Sequence, residues 1–201
     1  MTASFRFANA GDAAGIQTIY GPYCESSAVS FEVVAPSVAQ IAERIARVSV
    51  QYPWLVAEIG GELAGYVYAC PHRERTSYGW SVDVAVYTSP AFRRWGVGRG
   101  LYTSLSSLLR AQGYFKAYAG IVVPNDESVG LHEAVGFAPV AMFRGVGYKL
   151  GRWRDVGWWQ LALQPEIADP PRPRSIRDLA GADVVRHALA EGEKLVRAPS
   201  G

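Results

Sequence analysis

The residues that could do chemistry begin with a glycine-rich turn in the middle of the chain. Arginine and glycine are concentrated in the stretch Arg93-Arg94-Trp95-Gly96-Val97-Gly98-Arg99-Gly100, between a predicted strand and a predicted helix. Such a turn aims unpaired backbone N–H groups at one point, at the positive end of a helix. Glycine lets a ligand approach the backbone closely, and the three arginines add charge. The pattern predicts an anion site, with a diphosphate as the expected ligand.

Other interpretations of this turn are less consistent with the sequence. A dinucleotide-binding turn needs Gly-x-Gly-x-x-Gly and an acidic residue about twenty positions later. This chain has Gly-x-Gly-x-Gly and no acidic residue between Gly100 and Val123. A P-loop would end in Gly-Lys followed by Ser or Thr, and that ending is missing. The alternative that stays open is a loop that uses glycine only to turn.

A carboxylate stands inside an apolar segment shortly before the turn. The predicted strand Trp80–Thr88 has Asp83 as its one charged residue. Placing a carboxylate among apolar residues costs free energy unless it is paired or has a role, so Asp83 is a candidate functional residue.

The segments that must position these residues follow the order β, α, α, β, β, β, α, β, α, β, β. Gly60-Gly61 between two apolar runs predicts a β-hairpin. Helical spacing continues from Gly98 to Gln112, and the apolar run Phe115–Val123 predicts a buried strand. Two last strands are expected around 137–143 and 156–163. This order predicts an α/β (α+β) fold with a mixed sheet flanked by helices.

Composition limits the class of protein. The chain has 201 residues, 49% of them hydrophobic, and a net charge of +2 at pH 7, which indicates a globular protein and does not favour binding to nucleic acid. No apolar run suggests a membrane span, and no secretory signal pattern is found. Cys24 and Cys70 indicate neither a disulfide framework nor a metal site. We expect a cytoplasmic protein without a metal, with a domain at residues 1–164 and, at 165–201, a proline-rich linker and a tail that could form a helix.

The turn also fits a pattern that is diagnostic of one superfamily. Arg93, Gly96 and Gly98 match Gln/Arg-x-x-Gly-x-Gly/Ala, after a strand and at the opening of a helix. In this the chain resembles the GCN5-related N-acetyltransferases (GNAT), which implies a mostly antiparallel central sheet that is splayed in the middle. It is similar within that superfamily to the phosphinothricin and methionine sulfoximine N-acetyltransferases. The closer similarity rests on four stretches in order: 52–58, 80–87, 124–137 and 147–156.

The resemblance implies acetyl-coenzyme A as cosubstrate and assigns residues to it. Backbone groups of Val86, Tyr87 and Thr88 would pair with the pantetheine arm like an added strand. Asn125 would hydrogen-bond that arm where the two central strands separate, and Ser128 would add a contact. The diphosphate would be held by the turn residues Arg93, Arg94, Trp95, Gly96, Val97, Gly98, Arg99 and Gly100. The resemblance also implies a homodimer.

Acetyl transfer to an amine, by direct attack through a tetrahedral intermediate, requires that the amine lose a proton and that the leaving thiolate gain a proton or a hydrogen bond. The resemblance implies that Asp83 is the base. Relatives typically have glutamate there, one methylene longer, so we expect a route through water; the alternative is that Asp83 holds a neighbouring arginine. His132 could act as acid or base, or it could be a helix histidine bonded to a backbone carbonyl.

The expected acceptor pocket contains Phe31, Arg73, Arg75 and Tyr78. Arginine can bind a carboxylate, phosphinate or sulfoximine oxygen through two hydrogen bonds, and the aromatic rings would enclose the side chain. An exposed loop charge is the alternative for Arg73. His72 and His187 are expected at the surface. Trp153, Trp158 and Trp159 are expected to serve packing or a dimer interface.

The sequence thus predicts an enzyme that moves acetyl from acetyl-coenzyme A to the α-amine of a small amino-acid analogue. Phosphinothricin, methionine sulfoximine and methionine sulfone are the expected acceptors, and detoxification is the expected role. Two alternatives stay open. An acceptor pocket rich in acids would favour another small amine, such as a polyamine or an aminoglycoside. The second alternative is a sensor that binds coenzyme A without catalysis, because Asp83 stands where the family typically has glutamate.

Overall fold

A seven-stranded sheet organises the chain in the computed structural model, which describes residues 2–198. The strands are Ala3–Phe7 (β1), Trp54–Ile59 (β2), Glu62–Pro71 (β3), Ser81–Thr88 (β4), Lys116–Val123 (β5), Ala138–Lys149 (β6) and Arg152–Ala162 (β7). The α-helices are Ala13–Glu25 (α1), Val38–Val48 (α2), Val97–Gln112 (α3), Asp126–Ala134 (α4) and Asp183–Glu193 (α5).

The sheet opens between its two central strands. Its order is β1-β2-β3-β4-β5-β7-β6, and each neighbouring pair is antiparallel except β4 and β5. These two parallel strands pair over Ser81–Asp83 and Lys116–Tyr118, and β4 continues to Thr88 without a partner on that side. The predicted mixed, mostly antiparallel sheet with a splayed centre is therefore confirmed.

Each face of the sheet carries its own layer of helices. One apolar core joins the sheet to α1 and α2 through Ile16, Ile41 and Tyr66, and the other core joins it to α3 and α5. Side chains alternate between the faces of a strand. Asp83 lies opposite Cys70 of β3. Cys70 points to the same face as Tyr66 and Tyr68, because it follows them by four and two residues. The Asp83 carboxylate therefore lies on the face covered by α1 and α2.

Helix α3 begins at the glycine-rich turn because the backbone turns sharply there. Gly96, at the N-cap, has φ +80°, and Gly113, which ends the helix, has φ +98°. Both values are readily adopted by glycine. The inner face of α3 buries Leu101, Leu105 and Leu108 completely or nearly so, and each such leucine contributes about 1.5–3 kcal/mol. This anchors the turn to the sheet.

The segment after residue 164 returns to the main body of the protein. Its helix, α5, covers only part of the tail that could form a helix, and a 3-10 turn precedes it at Ile176–Leu179. Val185 and Ala188 enter the core below α3, and the Phe5 amide donates to Glu193 Oε1 over 2.7 Å. Residues 199–201 of the predicted tail lie outside the described residues. Within 2–198, no helix is both long and apolar enough to cross a bilayer.

Candidate active site

Free backbone donors line the turn before α3. No side chain caps this helix, and its first intrahelical bond runs from the Gly100 amide to the Gly96 carbonyl over 2.9 Å. The four preceding N–H groups, those of residues 96–99, have no acceptor in the described part of the chain. Arg93, Arg94 and Arg99 are exposed beside them. Orphan amides, a helix N-terminus and three guanidinium groups thus lie together, as the predicted anion site requires.

The three glycines of the turn differ in what they contact. A Cβ on Gly98 would lie 2.9 Å from Leu131 Cδ2 of α4, so this position faces the space between α3 and α4. A Cβ on Gly96 would overlap the Leu195 carbonyl, and one on Gly100 would overlap the Gly192 carbonyl of α5. Gly96 and Gly100 therefore allow the C-terminal segment to approach, which the sequence pattern alone could not reveal.

The opening in the sheet leaves backbone groups of β4 available. Residues 84–88, which include Val86 and Tyr87, have no strand paired to them on the β5 side. The Thr88 carbonyl, at the end of this edge, accepts a hydrogen bond from the Tyr23 hydroxyl of α1 over 3.1 Å. Asn125 caps α4, since its Oδ1 accepts from the Ser128 amide over 3.2 Å. The turn, the opening in the sheet and the cap of α4 are the three places where the sequence predicts contacts with the cofactor.

Asp83 is paired with a histidine. Its Oδ1 lies 2.6 Å from Nδ1 of His72, and the two side chains are 27% and 14% exposed. Burial raises the pKa of Asp83, and the hydrogen bond from His72 offsets part of that rise. The expectation that His72 is a surface residue is wrong, because the chain beyond β3 turns its ring back over the sheet. The alternative role predicted for Asp83 is to hold a neighbouring arginine. Its hydrogen-bonded neighbour is instead the His72 imidazole, and Arg73 acts on the carboxylate through its charge.

Aromatic rings surround this pair. The imidazole of His72 stacks on Tyr118 of β5 at 4.4 Å between ring centroids, with Trp158 of β7 edge-on at 6.1 Å. The Arg73 guanidinium lies 5.7 Å from the centroid of the Trp158 ring. Trp158 therefore packs inside the candidate site, whereas Trp159 points to the other face and donates to Glu133. Sequence reasoning missed His72 and Tyr118, since neither stands in a recognisable motif.

The predicted acceptor residues divide into two groups. Tyr78 approaches His72 at 5.8 Å between centroids, and Arg75 begins the same short 3-10 turn, exposed. Phe31 belongs to another segment, where its ring packs against Gly147 of β6. A buried lysine fixes its loop: Lys149 Nζ donates to the carbonyls of Cys24, Ser30 and Glu32 at 2.5, 2.6 and 2.8 Å.

His132 is separate from Asp83, and both of its ring nitrogens have partners. Nδ1 lies 2.7 Å from the Ser128 carbonyl, and Nε2 lies 2.7 Å from the Tyr102 hydroxyl. A carbonyl can only accept, so Nδ1 carries the hydrogen and Nε2 accepts from Tyr102. Burial lowers the pKa of His132, and the bond to Ser128 offsets part of this. The neutral ring lies in the α3 core, in the arrangement expected of a helix histidine bonded to a carbonyl.

Residues 5–158 match the family model described as an acetyltransferase (GNAT) domain. The chain belongs to the GNAT acetyltransferases. The predicted superfamily, its fold and an N-acetyltransferase enzyme are thereby confirmed.

Relatives of this acetyltransferase act on small amino-acid analogues. It is 42% identical to a phosphinothricin N-acetyltransferase of Streptomyces viridochromogenes, covering 84% of this chain and 91% of the relative. It is 32% identical to an L-methionine sulfoximine/L-methionine sulfone acetyltransferase of Salmonella typhimurium, over 82% and 97%. A Sinorhizobium meliloti phosphinothricin acetyltransferase, solved in complex with AcCoA, superposes with a TM-score of 0.80 at 34% identity, covering 85% of this chain and 94% of that chain.

Proposed function

We propose that this acetyltransferase moves acetyl from acetyl-coenzyme A to the α-amine of a small amino-acid analogue such as phosphinothricin, methionine sulfoximine or methionine sulfone. The observation that carries the proposal is the position of Asp83. Its carboxylate, paired with His72, lies on β4 at the point where that strand leaves β5, and the same strand leads to the anion-binding turn. This arrangement supports a proton-accepting pair near Asp83 and a diphosphate at the turn that follows the same strand.

The path from Asp83 along β4 to the glycine-rich turn indicates which residues would bind the cofactor. Val86, Tyr87 and Thr88 lie where β4 has no partner on the β5 side, which supports their predicted role beside the pantetheine amides, and the Thr88 carbonyl is shared with the Tyr23 hydroxyl. The amides of residues 96–99 and the three arginines suit the diphosphate. Asn125 uses its carbonyl oxygen for capping, so its amide N–H groups are left for the cofactor arm, beside Ser128.

The acceptor residues suit an anionic amino acid. Arg73 and Arg75 supply guanidinium groups for a carboxylate or a phosphinate, and Tyr78 supplies an apolar wall. Phe31 lies on a separate loop, and we assign it to the rim of the pocket. The guanidinium of Arg73 is the permanent positive charge that acts on the Asp83 carboxylate, which does not favour a polyamine or an aminoglycoside.

His132 is a more remote candidate for protonating the thiolate. Its Nδ1–H bond goes to the Ser128 carbonyl, and Nε2 is occupied by the Tyr102 hydroxyl. A proton that passed from this site to sulfur would travel through Tyr102, so we propose His132 as a partner of Tyr102 rather than as the direct acid.

An acceptor panel tests the function. Purified protein is mixed with acetyl-coenzyme A and each of phosphinothricin, methionine sulfoximine, methionine sulfone, spermidine and kanamycin, and the released thiol is followed with a disulfide reagent. We expect kcat/KM to be highest for the three amino-acid analogues. Preference for a polyamine would contradict the proposed acceptor class, and binding of coenzyme A without turnover of any amine would indicate a sensor.

We further propose a homodimer formed through the hairpin of β6 and β7. This hairpin exposes a run of large apolar side chains, namely Val140, Met142, Phe143, Val146, Tyr148, Leu150 and Trp153. An exposed apolar patch of this kind is typical of an interface. Light scattering during size-exclusion chromatography measures the mass directly, and a monomer at all concentrations would contradict the dimer.

The remaining expectations are proposals of the same kind. We propose a cytoplasmic location, where free Cys24 and Cys70 stay reduced, and a role in detoxifying amine-bearing analogues. We also propose a catalytic domain that ends near residue 164, because the family model ends at 158, with residues 165–201 as an addition to it.

A further inference from the structure

We propose that His72 is the catalytic proton acceptor of this acetyltransferase, with Nε2 as the accepting atom and Asp83 as the residue that positions the ring. This inference rests on the proposed function and names a residue for its proton-transfer step. It replaces a carboxylate that would act through water with an imidazole that acts directly.

The hydrogen bond between the two side chains fixes which nitrogen carries the proton. An ionised carboxylate can only accept hydrogen bonds. With Oδ1 of Asp83 at 2.6 Å from Nδ1 of His72, the hydrogen stands on Nδ1, and the lone pair stands on Nε2. A neutral imidazole in this tautomer is a proton acceptor. The carboxylate also stabilises the imidazolium that forms when Nε2 takes a proton.

The surroundings hold the ring in place and leave Nε2 free. Stacking on Tyr118, at 20° between the ring planes, fixes the tilt of the imidazole, and Tyr78 and Trp158 approach it edge-on. Within residues 2–198, Nε2 has no hydrogen-bond partner. The ring therefore has one bonded nitrogen, one open nitrogen and little freedom to rotate, which is the arrangement expected of a general base held by an orienting group.

Reach also favours the imidazole over the carboxylate. Asp83 is a short side chain on a strand in the middle of the sheet, and one of its two oxygens is already occupied by His72. The His72 ring lies beside Tyr78, which is proposed to bind the acceptor, and shares Trp158 as a neighbour with Arg73. The titratable and charged groups that face the pair are Arg73, Tyr78 and Tyr118 around the imidazole and Cys70 beside the carboxylate.

The proposed step balances in atoms and charge. The acceptor ammonium gives one proton to Nε2 of His72, and its nitrogen lone pair forms the C–N bond at the acetyl carbonyl carbon. The C–S bond breaks with its electron pair on sulfur, which takes the second proton that nitrogen loses. The imidazolium then releases its proton to water. One ammonium and one thioester give one amide, one thiol and one proton.

The decisive variant is His72→Asn. Asparagine keeps an N–H donor for Asp83 but offers no basic lone pair, so we expect kcat with methionine sulfoximine to fall by about 100-fold or more. Affinity for coenzyme A, measured by calorimetry, should be unchanged, which also shows that the variant folds. The matched control is His187→Asn, an exposed histidine on α5, which should keep wild-type kcat.

A second measurement tests the hydrogen bond between His72 and Asp83 without any substrate. The chain has three histidines, so nitrogen NMR can assign His72 by its loss in the variant. We expect the Nδ1–H tautomer in the wild type and a shift towards Nε2–H in Asp83→Asn. An Nε2–H tautomer in the wild type, or wild-type kcat in His72→Asn, would overturn the role of His72 while leaving the acetyltransferase function intact. A wild-type protein that acetylates no amine would overturn both.

Discussion

At the scale of single residues, His132 couples the stability of the protein to pH. Burial lowers its pKa below the ordinary value of 6.5, whereas unfolding restores that value. The unfolded state therefore binds more protons as pH falls. The stability that the neutral ring contributes is fully present above about pH 6.5 and is lost as pH falls from there towards the lower folded pKa. We expect the free energy of unfolding in urea to decline over that window, and to decline less in His132→Gln.

The comparison must use the difference between wild type and variant. Burial raises the pKa of Asp83, so this carboxylate contributes with the opposite sign: its effect favours the folded state at low pH and is lost as pH rises. Both proteins share that contribution, and it cancels in the difference. Equal slopes in wild type and His132→Gln would show that His132 is not held neutral.

Single residues also show what the sequence could and could not predict. Asp83 and the glycine-rich turn are recognisable because each is unusual against its immediate neighbours. His72 cannot be recognised in this way, because its position beside Asp83 depends on the pairing of β3 with β4. Cys70 lies opposite Asp83, and two residues later the His72 ring turns back to the carboxylate. The stacking partner, Tyr118, belongs to a strand far along the chain that reaches Asp83 only by parallel pairing.

At the scale of elements, the long strand β6 supports the loop that carries Phe31. A Cβ on Gly147 would overlap the Phe31 ring. We therefore expect Gly147→Ala to displace this ring, and to raise KM for the acceptor several-fold, in line with the roughly 1–3 kcal/mol cost of overpacking. KM for acetyl-coenzyme A should stay the same, since the turn at residues 93–100 lies on another element. Steady-state kinetics with each substrate varied separately gives both values.

The control for this change is a glycine with free space around it. At Gly130 of α4, an added Cβ would meet no other atom within 4 Å, so Gly130→Ala should leave both KM values unaltered. An acceptor KM that is the same in Gly147→Ala and in wild type would place Phe31 outside the acceptor pocket.

The ends of β6 and β7 were the least predictable elements. The sequence predicts strands at 137–143 and 156–163, yet the hairpin extends from Ala138 to Ala162. Gly145 and Gly151, both with positive φ, interrupt the apolar pattern on which the prediction depends. Most side chains of β6 are exposed, so alternation between a buried and a solvent face is absent, and only pairing with β7 makes the strand visible.

At the scale of the whole molecule, the segment after residue 164 connects both ends of the candidate site. Near its start, the Trp80 indole donates to the Pro171 carbonyl over 2.8 Å, and Arg172 donates to the Thr76 carbonyl beside the acceptor loop. At its end, the Arg197 amide donates to the Trp95 carbonyl in the glycine-rich turn over 2.9 Å. The segment is thus folded against the rest of the chain, and its loss should affect stability and cofactor affinity together.

The contact between α3 and α5 tests this coupling without removing the segment. Gly192 lies so close to α3 that a Cβ there would overlap Ser104 Oγ and the Gly100 carbonyl. We expect Gly192→Ala to lower the free energy of unfolding by about 1–3 kcal/mol and to weaken coenzyme A binding, because α5 must move away from the helix whose first turn is proposed to hold the diphosphate. Scanning and titration calorimetry measure the two effects. Val184→Ala, at an exposed site on the same helix, should change neither. If Gly192→Ala lowered stability but left the affinity for coenzyme A intact, the C-terminal segment would support the fold alone.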